Sequence, residues 1–184
     1  NSTDGTSEWL HSHANKTSIK VLQKKGDKGK AFSLAEGFAQ AQGSLFVMID
    51  GDLQYPPQTI ADMIAKLEEE KSDIVVANRK VYNESFVRKA ISSSFRYIFG
   101  KMLFGLNTDI QSGLKLFTRT VYESIGFMPN SPWTFDLAFL HRAQQGGFRI
   151  SNIDITFAPR IYGQSQVNLF RTAAEIGLNA LAVK

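Results

Sequence analysis

An apolar run that ends in two carboxylates is the feature of this sequence that most constrains its fold. Residues 45–49 form a short, continuous apolar stretch, which is typical of a strand buried on both faces of a parallel sheet. Asp50 and Asp52 follow at once, and a spacing of two on an extended chain places both side chains on the same side. Because ligands bind outside the carboxyl ends of strands in open α/β sheets, the pattern predicts an α/β fold with a ligand site here.

The side chains after this strand carry the oxygen atoms that a divalent cation requires. Asp50 and Asp52 are hard donors, suited to an ion that keeps several waters and also binds substrate phosphates. Gln54 adds a third oxygen at the next position on the same side. The alternative is an ordinary Asp-Gly-Asp turn whose carboxylates are solvated, since Asp and Gly dominate turns.

Helix and strand patterns alternate along the rest of the chain. The periodicity predicts helices over residues 7–13, 31–42, 59–70 and 133–145, and strands over residues 19–22, 74–77 and 149–157. A strand, a helix and a second strand with short connections form the βαβ unit of a parallel sheet. At 184 residues, with 43% hydrophobic and 21% charged residues, the chain suits one globular domain.

Charge and residue usage narrow the class of partners. The net charge of +4 is compatible with anionic lipids, nucleotides or phosphates. The sequence has no cysteine, which excludes disulfides and Cys-ligated metals. No apolar run of membrane-spanning length occurs in these 184 residues.

Two basic segments are candidates for binding anions. The loop at residues 26–30 is rich in Gly and Lys and leads into a predicted helix, which makes a natural phosphate site with Lys30 as the contact; a solvated loop is the alternative. Residues 86–104 predict an amphipathic helix with Arg88 and Ser92 one turn apart on its basic face. Such a face suits a membrane surface or an anionic ligand, and a core helix with a solvated basic face is the alternative.

The stretch Asp50-Gly51-Asp52-Leu53-Gln54-Tyr55-Pro56-Pro57 resembles the metal and nucleotide-sugar signature of the family 2 glycosyltransferases. The similarity is closest to the branch of dolichyl-phosphate mannose synthase and the bacterial polyprenyl-phosphate glycosyltransferases. It implies a GT-A fold, an α/β fold with a mainly parallel sheet flanked by helices, as a single catalytic domain over residues 1–184. The family's first strands have no counterpart here, so we expect the sequence to be a fragment.

The resemblance also implies a metal and a donor site. It implies Asp52 and Gln54 as ligands of Mg²⁺ or Mn²⁺, with Asp50 as a further ligand or directly behind them, and Gly51 beside the donor. Lys30 matches a loop that lies against the nucleotide. The resemblance implies three further donor-binding residues. Asp4 lies in a loop similar to the one that follows the family's second strand. Arg160 and Ser165 lie in a loop similar to the one that closes over nucleotide and metal. Gln166 stands where that closing loop usually has Lys.

A further set of residues resembles the acceptor site of the polyprenyl-phosphate branch. There, an Arg after a strand and an Arg and a Ser one turn apart hold the acceptor phosphate, and Arg79, Arg88 and Ser92 occupy those places. Asp109 and Ser112 belong to a segment similar to the one that lines the acceptor and sugar side. Asp109 has a second interpretation, as a buried hydrogen-bond anchor for its loop.

Asp136 is the candidate general base, although the sequence around it departs from the family pattern. Many family 2 enzymes carry Glu-Asp at this point, with the Asp as base, whereas this chain has Phe135-Asp136. An Asp in a first helical turn is also favoured by the helix dipole without any catalytic role. By resemblance, Asp52, Arg79 and Asp136 are the expected catalytic residues.

The resemblance implies a metal-dependent, inverting transfer of a sugar from a nucleoside diphosphate sugar to a polyprenyl phosphate, dolichyl or undecaprenyl. A lipid phosphate is already largely ionised near neutral pH, with a second pKa of roughly 6, so a strong base is unnecessary. The expected location is the cytoplasmic face of a membrane, with residues 169–184 as a membrane-proximal helix. No nucleic-acid partner is expected, and a homo-oligomer is compatible with the family.

Two alternatives to this function remain open. The first is transfer to a sugar hydroxyl in polysaccharide or cell-envelope synthesis, which requires a base and gives that role to Asp136. The second is a non-catalytic nucleotide-binding module. Turnover separates the enzyme from the module, and the role of Asp136 separates the two acceptors.

Overall fold

Four strands and five helices are defined within the residues that a computed structural model describes, which are 4–14, 18–80, 104–127, 129 and 135–158. In chain order they are α1 (Thr6–Ala14), α2 (Lys30–Gln40), β1 (Leu45–Met48), α3 (Thr59–Glu69), β2 (Ile74–Lys80), β3 (Lys115–Thr118), α4 (Arg119–Ile125), α5 (Asp136–Gln145) and β4 (Ile150–Thr156). None of the described helices is both long enough and apolar enough to cross a membrane. Of the predicted helices over residues 86–104 and 169–184, only Phe104 lies within the described residues.

The four strands form one mixed sheet in the order β1-β3-β2-β4. β3 pairs antiparallel with β1 and β2, and β2 pairs parallel with β4. Three strands therefore run in one direction, as the prediction of a mainly parallel sheet requires. The predicted βαβ unit is present as β1-α3-β2, but β3 lies between its two strands, so they are not direct neighbours.

The pairing register brings the carboxyl ends of β1 and β2 to the edge at which β3 begins. Lys115, the first residue of β3, pairs with Met48 of β1 and with Val76 of β2. Asp50 lies two residues beyond Met48, and the loop before Lys115 reaches the same edge. The topology therefore collects, at one edge, side chains that are far apart in the sequence.

Apolar side chains pack on both faces of the sheet, and β2 shows the alternation most clearly. Ile74 and Val76 belong to one buried cluster, and Val75 and Ala77 belong to the other, as the two-residue period of a strand demands. The first cluster contains residues of α2, α4 and α5, and the second contains Met63 of α3. The predicted strand over residues 74–77 is therefore confirmed, and it is buried on both faces. The strand over residues 45–49, predicted to be buried on both faces, has only Phe46 and Met48 buried.

One predicted strand is wrong. Residues 19–22 have no regular secondary structure, and Ile19 and Leu22 are 55% and 43% exposed. In the described part of the chain no strand pairs with this segment, and β1 is the end strand of the sheet. A short apolar run does not form a strand without a partner for its backbone hydrogen bonds.

Candidate active site

Seven charged side chains gather where β1 and β2 end and β3 begins, and we call them the charged cluster. They are Lys30, Asp50, Asp52, Arg79, Asp109, Lys115 and Asp136. Six of them form three ion pairs. The pairs also act on one another, because the charges of Lys30 and Asp50 influence the pKa of Asp136 and the charge of Asp136 influences the pKa of Arg79. The residues of this cluster come from α2, β2, β3, α5 and the connecting loops.

Lys30 and Asp50 form the first pair. The Lys30 ammonium lies 2.5 Å from Oδ1 of Asp50, and about a third of each side chain is exposed. The other oxygen of Asp50 lies against Gly113, at which a Cβ atom would overlap the carboxylate. The Gly113 N–H donates a hydrogen bond of 2.6 Å to the hydroxyl of Tyr55, which is buried. Gly113 is therefore required for the close approach of the Asp50 carboxylate to the loop before β3.

The loop from Asp52 to Gln54 is fastened to the end of β4. Asp52 accepts a hydrogen bond of 3.2 Å from the Gln54 N–H. The Gln54 side-chain amide donates to the Ala158 carbonyl at 2.9 Å, and the Ala158 N–H donates to the Gln54 carbonyl at 3.0 Å. Between them Leu53 has a φ of 60°, a left-handed conformation that is unfavourable for a residue other than glycine.

Asp50 and Asp52 fit a divalent cation as two of several ligands. Within the described ranges, no three His, Cys, Asp or Glu side chains converge as a metal site made of protein alone would require. Mg²⁺-type ions are commonly held by one or two carboxylates together with waters and substrate phosphates. Oδ1 of Asp50 already contacts one cation, the Lys30 ammonium. The side-chain nitrogen of Gln54 is bonded to Ala158, and the role of its oxygen as a third metal ligand stays a prediction.

Arg79 and Asp109 form the second pair. The Arg79 guanidinium donates to both carboxylate oxygens of Asp109, at 2.6 and 3.0 Å. Asp109 is buried, and its N–H donates to the side-chain oxygen of Asn78 at 2.8 Å. Burial alone would lower the pKa of Arg79, but the hydrogen bonds and charge of Asp109 outweigh it and raise the pKa above its ordinary value. Asp109 thus anchors Arg79, and its two predicted roles, on the acceptor side of the site or as an anchor of its own loop, stay predictions.

Lys115 and Asp136 form the third pair, which is the most buried of the three. The Lys115 ammonium has no exposed surface and donates to Oδ1 of Asp136 and to the Ser112 carbonyl, each at 2.5 Å. Burial raises the pKa of the Asp136 carboxyl, and the charge of Lys115 opposes this shift. Burial likewise lowers the pKa of Lys115, and Asp136 opposes it. The candidate base is therefore already engaged by a buried cation.

The sequence patterns did not single out Lys115, Tyr55 or Asn78 as site residues. The available signal for Lys115 was a lysine within the apolar run at residues 114–117, because a charged residue is almost never fully buried unless it is paired. Nothing local identifies the partner, since Asp136 lies 21 positions further along the chain.

The remaining predicted site residues fall into two groups. Asp4 is exposed and accepts hydrogen bonds from the N–H and hydroxyl of Thr6 at the start of α1. Gly51 lies in an exposed turn, and the Ser112 hydroxyl is buried and bonded to the backbone of Leu114. The second group lies outside the described residues and comprises Arg88, Ser92, Arg160 and Ser165. The binding roles of both groups stay predictions.

Comparison with known proteins adds evidence from sequence. The sequence model of glycosyl transferase family 2 matches residues 1–126. The dolichol-phosphate mannosyltransferase of Pyrococcus furiosus is 28% identical over 171 residues, which cover 90% of this chain and 48% of that protein. The dodecaprenyl-phosphate galacturonate synthase of Rhizobium johnstonii is 25% identical over 155 residues, or 84% of this chain and 45% of that protein. The chain spans about half the length of these two relatives.

Solved structures are similar to the whole of this chain. Glucosyl-3-phosphoglycerate synthase from Mycobacterium tuberculosis, in complex with Mn²⁺, UDP-glucose and phosphoglyceric acid, has a TM-score of 0.70 at 15% identity, covering 100% of this chain and 65% of that one. A mycobacterial protein gives a TM-score of 0.75 at 16% identity, covering 100% and 62%. At this identity the likeness is evidence of the fold alone, and the predicted GT-A fold is confirmed.

Proposed function

The chain belongs to glycosyl transferase family 2, and from this we propose that it transfers a sugar from a nucleoside diphosphate sugar to a polyprenyl phosphate, with inversion at the anomeric carbon. Two relatives are named for such a lipid, dolichol phosphate in one and dodecaprenyl phosphate in the other. We place the reaction at the cytoplasmic face of a membrane, where a lipid acceptor would be met.

The observation that carries this proposal is the convergence of three cation–carboxylate pairs at one edge of the sheet. Sugar transfer leaves negative charge on the departing diphosphate, and preorganised positive groups stabilise that charge as it develops. Lys30 and Arg79 are partly exposed cations of the cluster. A Mg²⁺ or Mn²⁺ ion held by Asp50 and Asp52, with Gln54 as a third donor, would supply further positive charge there.

The acceptor side of the proposal rests on Arg79 and on the engaged state of Asp136. Arg79 is held by both oxygens of Asp109, so its guanidinium is oriented before any ligand arrives and can form charge-assisted bonds to a phosphate. A phosphate oxygen needs no strong base, which is consistent with an Asp136 carboxylate that Lys115 occupies. Arg88 and Ser92 complete the proposed acceptor site.

One observation favours the second acceptor class. Burial raises the pKa of Asp136, which is the direction that a general base working near neutral pH requires. The second candidate function is therefore transfer to a sugar hydroxyl, with Asp136 accepting the proton through the oxygen that Lys115 does not contact.

A transfer assay with both acceptor classes distinguishes these functions. UDP- and GDP-linked sugars with Mn²⁺ would be offered either a polyprenyl phosphate in detergent or a soluble oligosaccharide. The variants are Asp52→Asn, Asp136→Asn and the control Asp62→Asn, which is exposed on α3. We expect a lipid-phosphate-linked sugar of inverted anomeric configuration, lost in Asp52→Asn or in excess chelator and kept in Asp62→Asn and in Asp136→Asn protein that circular dichroism shows to be folded.

Three results would contradict the proposal. Transfer only to the oligosaccharide, lost in Asp136→Asn, would establish the second candidate. Donor binding without transfer to either acceptor would indicate a nucleotide-binding module. Full activity of Asp52→Asn in excess chelator would remove the metal from the proposal.

A further inference from the structure

The Lys30–Asp50 ion pair occupies the place at which the proposed metal would meet the protein. We propose that Lys30 and the divalent cation compete for the Asp50 carboxylate, and that a nucleoside diphosphate ends the competition by drawing the Lys30 ammonium onto its own phosphates. This inference rests on the proposed function, because it concerns the same donor site. It gives Lys30 two successive partners, first Asp50 and then the diphosphate.

The geometry around Asp50 makes the two cations exclusive. The Lys30 ammonium is 2.5 Å from Oδ1, while Oδ2 lies against Gly113 in a space too small for a Cβ atom. Gly113 cannot withdraw easily, since its N–H is bonded to the buried Tyr55 hydroxyl. A metal ion must therefore approach Asp50 at Oδ1, the oxygen that the Lys30 ammonium contacts. Two positive charges at that oxygen repel each other strongly at such distances.

The structure allows the Lys30 side chain to move while its backbone stays in place. The preceding loop is fastened by Glu36, which accepts hydrogen bonds from the N–H groups of Lys25 and Gly26 at 3.2 and 2.9 Å. It is also fastened by Lys24, whose ammonium donates to the Gly29 carbonyl at 2.8 Å. Lys30 itself has a flexible four-carbon stem and about a third of its side chain is exposed. A rotamer change is therefore enough to exchange partners.

The competition predicts effects of opposite sign in the absence and presence of nucleotide. Without nucleotide, removal of the Lys30 charge leaves Asp50 more available, so Mn²⁺ binds more tightly. With a nucleoside diphosphate, the same change removes a cation from the phosphates, so the complex of Mn²⁺ and nucleotide is weakened. By linkage, the factor by which nucleotide strengthens Mn²⁺ binding must fall in the variant. A purely structural role for Lys30 would weaken both.

The test measures Mn²⁺ binding and needs no assay of activity. Mn²⁺ would be titrated into wild type, Lys30→Met, Lys30→Arg and the control Lys28→Met, an exposed residue of the same loop. Free Mn²⁺ would be followed by electron paramagnetic resonance, with and without UDP or GDP. We expect Lys30→Met to bind Mn²⁺ about two- to fivefold more tightly without nucleotide, the size expected for a partly exposed ion pair. With nucleotide its Mn²⁺ affinity should fall below that of wild type, while Lys30→Arg and Lys28→Met stay close to wild type.

Failure of this inference differs from failure of the proposed function. If folded Lys30→Met, checked by circular dichroism, binds Mn²⁺ no more tightly than wild type without nucleotide, the competition is wrong although the metal site stands. If neither wild type nor any variant binds Mn²⁺ even with nucleotide, the metal-dependent function is wrong and the competition with it.

Discussion

Lys115 is the residue on which the charge balance of the site depends most. Its side chain is fully buried and its partner Asp136 is 17% exposed. Removing one member of a buried pair leaves the other charge uncompensated, at a cost of about 3 kcal/mol. We therefore expect Lys115→Met to lower the free energy of unfolding by about this amount, measured by urea denaturation.

The controls for this prediction use a surface pair and a double variant. Lys66→Met breaks a partly exposed pair between Lys66 of α3 and Glu70, the residue that follows the helix, and should change stability by less than about 0.5 kcal/mol. Lys115→Met combined with Asp136→Leu removes both charges and should recover much of the loss, because paired buried charges can often be replaced by apolar groups. A Lys115→Met protein as stable as wild type would show that the pair is not buried as described.

The same pair predicts a pH dependence. Lys115 opposes the effect of burial on Asp136, so the pKa of Asp136 should rise further in Lys115→Met than in wild type. The folded variant then keeps a proton that the unfolded chain releases above the ordinary value of 3.8. Its stability should consequently fall as pH rises from about 3.8 through the folded pKa. Titration of the Asp136 carboxyl carbon by NMR tests the direction, and an unchanged or lower pKa in the variant would contradict it.

At the scale of secondary structure, local patterns predicted the elements but not their order in the sheet. Each of β1, β2 and α3 carries its own periodicity, and all three were predicted within a few residues of the bounds observed. The place of β3 between β1 and β2 depends on antiparallel pairing across large sequence distances, and no short pattern encodes it. The site shows the same division: the carboxylates at Asp50 and Asp52 follow directly from the strand before them, whereas the link between Gln54 and Ala158 spans 104 positions.

The contact between the loop before β3 and the end of β1 gives a prediction at this scale. In Gly113→Ala the new Cβ would overlap the Asp50 carboxylate and lie 2.9 Å from the Tyr55 ring. Overpacking of this kind typically costs about 1–3 kcal/mol, and the displaced Asp50 should weaken Mn²⁺ binding in the presence of nucleotide. Urea denaturation and Mn²⁺ titration measure the two effects.

Gly37→Ala is the matched control for this substitution. Gly37 lies within α2, and nothing is found within 4 Å of a Cβ atom placed there. Replacing a helical Gly with Ala should stabilise the protein by up to about 1 kcal/mol and leave Mn²⁺ binding unchanged. If Gly113→Ala is as stable as Gly37→Ala and binds Mn²⁺ equally well, the loop can accommodate a Cβ atom at residue 113, and the prediction is wrong.

At the scale of the whole molecule, the site is formed by several strands, helices and loops together. Its charged side chains stand on α2, β2, β3, α5 and the loops between them, so no single element holds the geometry. The charged cluster contains three cations and four carboxylates. A diphosphate alone therefore meets little net attraction, and the cluster favours ligands that bring positive charge with them.

This balance predicts that metal and nucleotide together stabilise the fold more than either does alone. A ligand that binds only the folded state at 100 times its dissociation constant adds about 2.7 kcal/mol to stability. For a domain of this size each kcal/mol raises the melting temperature by about 2–4 °C, so Mn²⁺ with the preferred nucleoside diphosphate should raise it by about 5–10 °C. Thermal unfolding followed by circular dichroism would be recorded with Mn²⁺ alone, with nucleotide in chelator, and with both.

The Asp52→Asn variant should lose the joint effect, and the control Asp62→Asn should keep it. A full shift from nucleotide in excess chelator would mean that the phosphates are held by the protein's own cations, because no metal would then be needed to overcome the carboxylates of the cluster.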